Sequence, residues 1–201
     1  MTASIRSVNV GVPVPADWAA LGRTAIAKTS VSAPVAVRRL GIEGDQVADL
    51  RHHGGESKAI YAFAREDLDH WEGVLGQPIA DGQFGENLTT IGIDVNEALV
   101  GERWRIGTAL VEIAEPRIPC NDFKNWMGTS GYDARAWVKR FTAEGRPGPY
   151  LRVVEEGVVC AGDPLRVEHR PSHGVTLTRY FLACTTAKSE LAAVEALIAA
   201  G

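Results

Sequence analysis

Cysteine is scarce in this 201-residue chain, and the three thiols it has, Cys120, Cys160 and Cys184, stand far apart. No C-x-x-C pair occurs, which rules out a disulfide framework and a paired-thiolate zinc site as the organising feature. A basic excess is missing too. Lys and Arg number 21 against 25 Asp and Glu, for a formal charge of -4, so nucleic acid is not the expected partner. Nowhere do eighteen apolar residues run together, which removes an ordinary membrane-spanning helix from consideration. Residues 1–15 carry no basic segment followed by an apolar run, so the expected address is cytoplasmic. There is no internal repeat and no low-complexity tract.

What is present is the composition of a globular chain, 45% hydrophobic and 23% charged, long enough to bury one substantial core. Strand character falls at residues 4–10, 23–28, 35–38, 59–63, 110–114, 150–154 and 165–170. In the last of these Leu165, Val167 and His169 alternate with Arg166, Glu168 and Arg170, which predicts one buried face. Turn-like breaks at Glu155-Glu156-Gly157 and Ala161-Gly162-Asp163-Pro164 suit antiparallel pairing in a barrel or curled sheet. Ala134, Trp137, Val138 and Phe141 share one face of a helix, as do Leu68, Trp71 and Leu75 within residues 65–75, the latter ending near Gly76. Trp71 is read as core. The expected organisation is a mainly β domain over residues 1–170 with a few peripheral helices. A helical tail over 171–201 follows, whose stripe of Leu191, Val194 and Ile198 suits packing or homodimerisation.

Three segments carry chemistry. In Glu115-Pro116-Arg117-Ile118-Pro119-Cys120-Asn121 two prolines stiffen the backbone and present Cys120 on a short loop. Arg117 can favour its thiolate, the form that binds metal or attacks an electrophile; a half-buried structural cysteine is the plainer reading. In Asp49-Leu50-Arg51-His52-His53-Gly54-Gly55-Glu56-Ser57-Lys58-Ala59-Ile60-Tyr61, the paired glycines allow close backbone approach, and Arg51 with Lys58 can neutralise an anion. Adjacent histidines on an extended segment would point to opposite sides. In Gly82-Gln83-Phe84-Gly85-Glu86-Asn87-Leu88, an acid and an amide could fix a heterocycle bearing N–H and C=O groups, or simply stabilise the loop. His169 and His173 flank Pro171 and make a poor helical metal pair. Cys120 as a nucleophile with His52 or His53 as base is a further possibility on chemistry alone.

Taken in order, Gly44-Asp45, His52-His53-Gly54-Gly55 with Lys58, Phe84-Gly85-Glu86-Asn87-Leu88, Ile106-Gly107, Pro116-Arg117-Ile118-Pro119-Cys120, and Gly157 with Ala161-Gly162-Asp163 resemble the MOSC family. That family is named after the C-terminal domain of molybdenum cofactor sulfurase. The resemblance spans roughly residues 4–170 and points to the small bacterial stand-alone branch, some members of which reduce N-hydroxylated purine bases. It implies a MOSC-type β-barrel and a molybdenum cofactor of the molybdopterin type, with Cys120 as the metal-ligating and catalytic thiolate. His53, Lys58, Arg117 and Asn121 would line the pocket and hold the pterin phosphate; Glu86 and Asn87 would contact the heterocycle. At family level a pyridoxal phosphate-binding label also applies. Asn121-Asp122-Phe123 is more acidic than an anionic cofactor would favour, and the tail after Gly174 is short. With no flavin, haem or iron–sulfur motif, a reductase acting on a small-molecule substrate would need a separate electron-donor protein. The alternative implied is a non-catalytic cofactor or sulfur carrier that uses Cys120, with Cys160 and Cys184 as resolving thiols if they lie nearby.

Overall fold

A computed structural model describes residues 2–200. Along the chain run β1 (Ser4–Val10), β2 (Val14–Pro15), β3 (Arg23–Thr24), β4 (Thr29–Val31), β5 (Val35–Arg38), β6 (Gly41–Ile42) and the short α1 (Leu50–His53). Next come β7 (Ile60–Ala64), α2 (Arg65–Leu75), β8 (Leu88–Ile91), β9 (Arg103–Ile106), β10 (Ala109–Pro116), α3 (Asn121–Thr129) and α4 (Trp137–Glu144). The chain finishes with β11 (Pro149–Glu155), β12 (Gly157–Val159), β13 (Leu165–His169), α5 (Leu177–Thr185) and α6 (Leu191–Ala200).

Eight strands form one mixed sheet in the order β13-β9-β10-β11-β7-β8-β1-β4. Every pair in it is antiparallel except β7 with β8. The exception follows from α2, which leaves the end of β7 and returns the chain in the same direction, as a parallel neighbour requires. All five residues of β7 are buried, as suits a strand in the middle of a sheet covered on both faces. The sheet curls until its far ends meet at one point. Ser4 bridges Pro164, the Ile5 N–H donates to the Asp163 carbonyl, and the Leu165 N–H donates to that of Ala3. No continuous ladder joins β1 to β13 among the described residues, so the expected barrel is reached only as a curled sheet with a partial seam.

The helices behave as their side-chain spacing requires. α2 buries Leu68 and Trp71 and stops at Gly76, whose left-handed φ of 70° lets its N–H cap the Glu72 carbonyl. α4 buries Trp137 and Phe141, one turn apart. Two helices depart from expectation, α1 and α3, and α5 lies within the expected helical tail but joins the main domain. α5 packs on β10, and its Leu177 sits in the main core while its N–H reaches the Ala98 carbonyl. The strand expected over 23–28 shrinks to Arg23–Thr24. In β13 only Leu165 is buried and Val167 is 45% exposed, because this edge strand has sheet on one side and solvent over most of both faces.

A small cluster, Val175, Ala183 and Val194 with Leu191 and Ile198 against it, holds α6 on α5, and two large packed clusters fill most of the interior. One is built almost entirely of aliphatic side chains from the sheet, with Trp104 the one large aromatic ring in it. The other lies under α2, α3 and α4 and is mostly aromatic: Tyr61, Phe63, Trp71, Phe84, Phe123, Trp137 and Phe141, with Leu68, Ile79 and Met127 filling between.

Candidate functional site

Cys120 stands where β10 ends and α3 begins. Its backbone is extended, at φ -125° and ψ 172°, and its carbonyl accepts from the Lys124 N–H. Pro119 ahead of it and the helix behind it fix that position, as expected for a preorganised thiol. The side chain is half-buried. Burial pushes the thiol pKa up, but hydrogen bonding to His53, the Arg117 charge and the Phe123 backbone N–H outweigh it and bring the value down to about 7. That direction favours the thiolate, the form that binds metal.

Arg117, three residues earlier, is only 4% exposed. Its guanidinium carbon lies 3.8 Å from the Phe123 ring centroid and 5.6 Å from that of Tyr61. Its Nη1 atom is buried with no hydrogen-bond partner. Ring faces supply part of what lost hydration would have given, yet a buried cation without an anion is costly. Gly148 anchors the backbone here, accepting from the Arg117 N–H at 3.2 Å. A Cβ at Gly148 would overlap the Ala62 carbonyl, and its φ of +69° suits glycine alone.

The two histidines lie on α1, not on an extended segment, so their side chains leave the helix about 100° apart instead of on opposite sides. Asp49 caps that helix through the Arg51 and His52 amides, and His52 turns outward to meet the Asp49 carboxylate at 2.8 Å. His53 turns inward, 3.4 Å from the Tyr150 hydroxyl. Lys58 Nζ donates to the His52 carbonyl and stands 3.8 Å from Glu115.

Two clefts meet at the thiol. Asp49, His53, Lys58, Cys120, Asp122 and Tyr150 line both of them. The inner cleft adds Arg23, Lys28, Asp45, Tyr61, Phe84, Asn87 and Arg117. The outer one adds His52, Glu115, Pro116, Ile118, Pro119 and Asn121. Asn87 reaches the inner wall but is already engaged: its Oδ1 accepts from the Tyr61 N–H and its Nδ2 donates to Asp45. Asp45 also accepts from Lys28 at 2.5 Å and from the Gly11 N–H.

Glu86 requires a correction. It is fully buried and absent from both clefts; its carboxylate accepts from the Gly82 and Phe84 amides and the Thr89 hydroxyl. It stiffens the loop that carries Phe84 and Gly85, and no ligand can reach it. Asp122, whose charge stood out in the sequence, directs its carboxylate to the Ala20 N–H. Cys160 and Cys184 line neither cleft.

Tyr150 and Lys28 are site residues outside the motifs, while Tyr61 and Glu115 fall within them but were given no role. For Tyr150 a signal existed, since it alternates with Leu151 and Val153, which face the core. Nothing in the sequence near Lys28 marks it.

The MOSC domain family matches residues 49–166, the stretch that contributes α1, β7, the Glu86 loop and the Arg117–Cys120 segment. The chain belongs to the MOSC domain family. The uncharacterized protein YflK of Bacillus subtilis is 32% identical over 175 residues, covering 87% of this chain and 77% of that protein. The crystal structure of YiiM from Geobacillus stearothermophilus aligns with a TM-score of 0.79 at 30% identity, covering 98% of this chain and 90% of that one. A protein named reductase from Gibberella moniliformis is 31% identical over 153 residues, though the match spans only 26% of its length.

MOSC domains are linked to the molybdenum cofactor, and the residues of this chain fit such a group on two counts. Arg117 offers a buried, unpartnered Nη1 to an anion, and Cys120 offers a soft thiolate to a metal. Among the described residues no group of three or more His, Cys, Asp or Glu could enclose a metal ion. A metal at Cys120 would thus take its other ligands from the cofactor that carries it.

Proposed function

We propose that this MOSC protein is a molybdenum cofactor-dependent reductase of N-hydroxylated bases and related N-hydroxylated compounds. The observation that carries this is a half-buried thiol and a buried guanidinium whose Nη1 has no hydrogen-bond partner, three residues apart on one rigid segment and lining one cleft. Membership of a family that includes YiiM-like proteins, and a more distant likeness to a protein named reductase, support the same reading.

When bound, the cofactor supplies the two-electron redox step that no side chain can perform. The overall change is cleavage of the N–O bond of R–NHOH, with two electrons and two protons taken up and R–NH2 and water released; a separate donor protein supplies the electrons. Cys120 would hold the metal through its thiolate. Arg117, with Arg23 on the same wall, would neutralise the anionic arm of the pterin, and Lys28, paired with Asp45, would add to the positive field there. The Tyr61 and Tyr150 rings, whose centroids are 5.3 Å apart, line the same cleft as the thiol and give it an aromatic wall. His53, which lines both clefts with Cys120, favours the charged form of the sulfur.

Protein purified without air from a cofactor-competent host should carry near-stoichiometric molybdenum and reduce a hydroxylamine under reduced viologen. Cys120→Ser should fold, yet lose metal and turnover, since a hydroxyl is a poor soft-metal ligand. Full metal content in that variant would overturn the assignment of Cys120.

A further inference from the structure

Charge is divided unevenly between the two clefts that meet at Cys120. The residues found only in the inner cleft include three cations, Arg23, Lys28 and Arg117, against one carboxylate, Asp45. Those found only in the outer cleft include one carboxylate, Glu115, and neither lysine nor arginine. An anionic group and a substrate that both reach Cys120 cannot share one cleft, so complementarity sorts them. The phosphate-bearing group belongs inside, and the substrate enters from the outer side.

Resting on the function proposed above, we infer that the outer cleft is the substrate subsite. It selects flat N–H-bearing bases that are neutral or cationic, and it rejects their phosphorylated forms.

Glu115 is the polar contact. It stands one residue from the end of β10, opposite Tyr150 in the register, with its side chain 32% exposed. One oxygen accepts from the Ser57 hydroxyl at 2.6 Å and the other lies 3.8 Å from Lys58 Nζ. At that separation the ammonium only partly offsets the carboxylate, which keeps free lone pairs for the ring N–H and exocyclic N–H of a base. Ile118, 44% exposed, sits between Pro116 and Pro119 and gives an apolar edge for the flat ring to lie on. A phosphate in this cleft would face the carboxylates of Glu115, Asp49 and Asp122, with Lys58, already held by the His52 carbonyl and beside Glu115, as the one lysine and no arginine to receive it. That is repulsion added to a lost hydrogen bond, a route to specificity through the wrong partner.

The test compares N4-hydroxycytosine with N4-hydroxycytidine 5′-monophosphate in molybdenum-loaded protein under reduced viologen. Isothermal titration of the protein with cytosine and with cytidine 5′-monophosphate gives a second readout that needs no turnover. Wild type should favour the base over the nucleotide by roughly tenfold or more in kcat/KM, the scale of one hydrogen bond to a charged group. Glu115→Gln, nearly the same shape, should shrink that ratio through the KM of the base, with molybdenum content unchanged. Glu115→Lys should move the preference toward the nucleotide, and Ile118→Asp should raise the KM of the base. Equal handling of base and nucleotide by wild type, or a ratio that neither Glu115 variant moves, overturns the subsite. Loaded protein that turns over neither compound overturns the reductase reading. In that case the titration alone decides the cleft: preferential binding of cytosine that Glu115→Gln weakens upholds it, and its absence overturns it.

Discussion

The two large packed clusters use opposite chemistry. The sheet cluster is aliphatic apart from Trp104 and touches the cleft only through Ala59; Ile106, Val111 and Ile113 lie in it at 1% exposure or less. The helix-covered cluster is aromatic and carries a guanidinium pressed against the Phe123 ring. Aliphatic packing stabilises through area and close fit. An aromatic cluster contributes area as well, and its ring faces can also hold a cation away from water. The comparison assigns the fold to the first cluster and the poise of Cys120 to the second, which predicts that damage to each is read by a different instrument.

The largest effect should come from the aliphatic side. Ile106→Ala removes a fully buried side chain from the sheet cluster and should cost about 2–5 kcal/mol in denaturant unfolding. Cys120 alkylation at pH 7, measured on the folded protein, should be unchanged. A slowed thiol in that variant would mean that the clusters do not divide the labour.

Next in size is a pH effect on the loop that joins the aromatic cluster to the cleft. Burial raises the Glu86 carboxyl from 4.5 to about 7, with the Gly82 and Phe84 amides and the Thr89 hydroxyl opposing. The folded state therefore binds a proton that the unfolded state has already released between about pH 4.5 and 7. Stability from this group is fully present below pH 4.5 and falls as pH rises toward 7, by at most about 3 kcal/mol at 1.4 kcal/mol per unit. Glu86→Gln should flatten that slope in urea titrations at pH 4.5, 6 and 7.5. An unaltered slope would show that Glu86 is ionised throughout.

The sequence exposes some of this more readily than the rest. α2 was legible because Leu68, Trp71 and Leu75 recur at helical spacing and Gly76 stops them. α3 was not, because Asn121-Asp122-Phe123-Lys124-Asn125 reads as a polar loop until Phe123 and Met127 are seen to be its only buried residues. α5 follows a proline and glycine break that looks like the end of the domain, yet Leu177 is in the main core. Arg117 and Cys120 could be paired from two prolines and a spacing of three. Glu86 could not be placed, since the same loop motif serves whether the carboxylate points at a ligand or, as here, back at its own amides. Glu115 and Lys28 gain meaning only from which cleft they face, and that depends on contacts distant in the chain.

Arg117→Met puts the sharpest question to the comparison while having the smallest effect on the fold. Methionine can lie over the Phe123 ring, and removing an unpaired buried charge in favour of an apolar side chain is commonly neutral or stabilising. Unfolding should therefore be unchanged or shifted to higher denaturant. Burial would still push the Cys120 thiol up, and only His53 and the Phe123 N–H would remain to hold it down. A rise of about one pKa unit would cut the thiolate present at pH 7, and with it the alkylation rate, about fivefold. Affinity for the anionic cofactor should fall in the same variant, seen as lower molybdenum content at equal yield of folded protein. A more stable protein with a slower thiol and less metal is the signature of a residue kept for the site at the expense of the fold. A less stable protein with the thiol unmoved would place Arg117 among the packing residues instead.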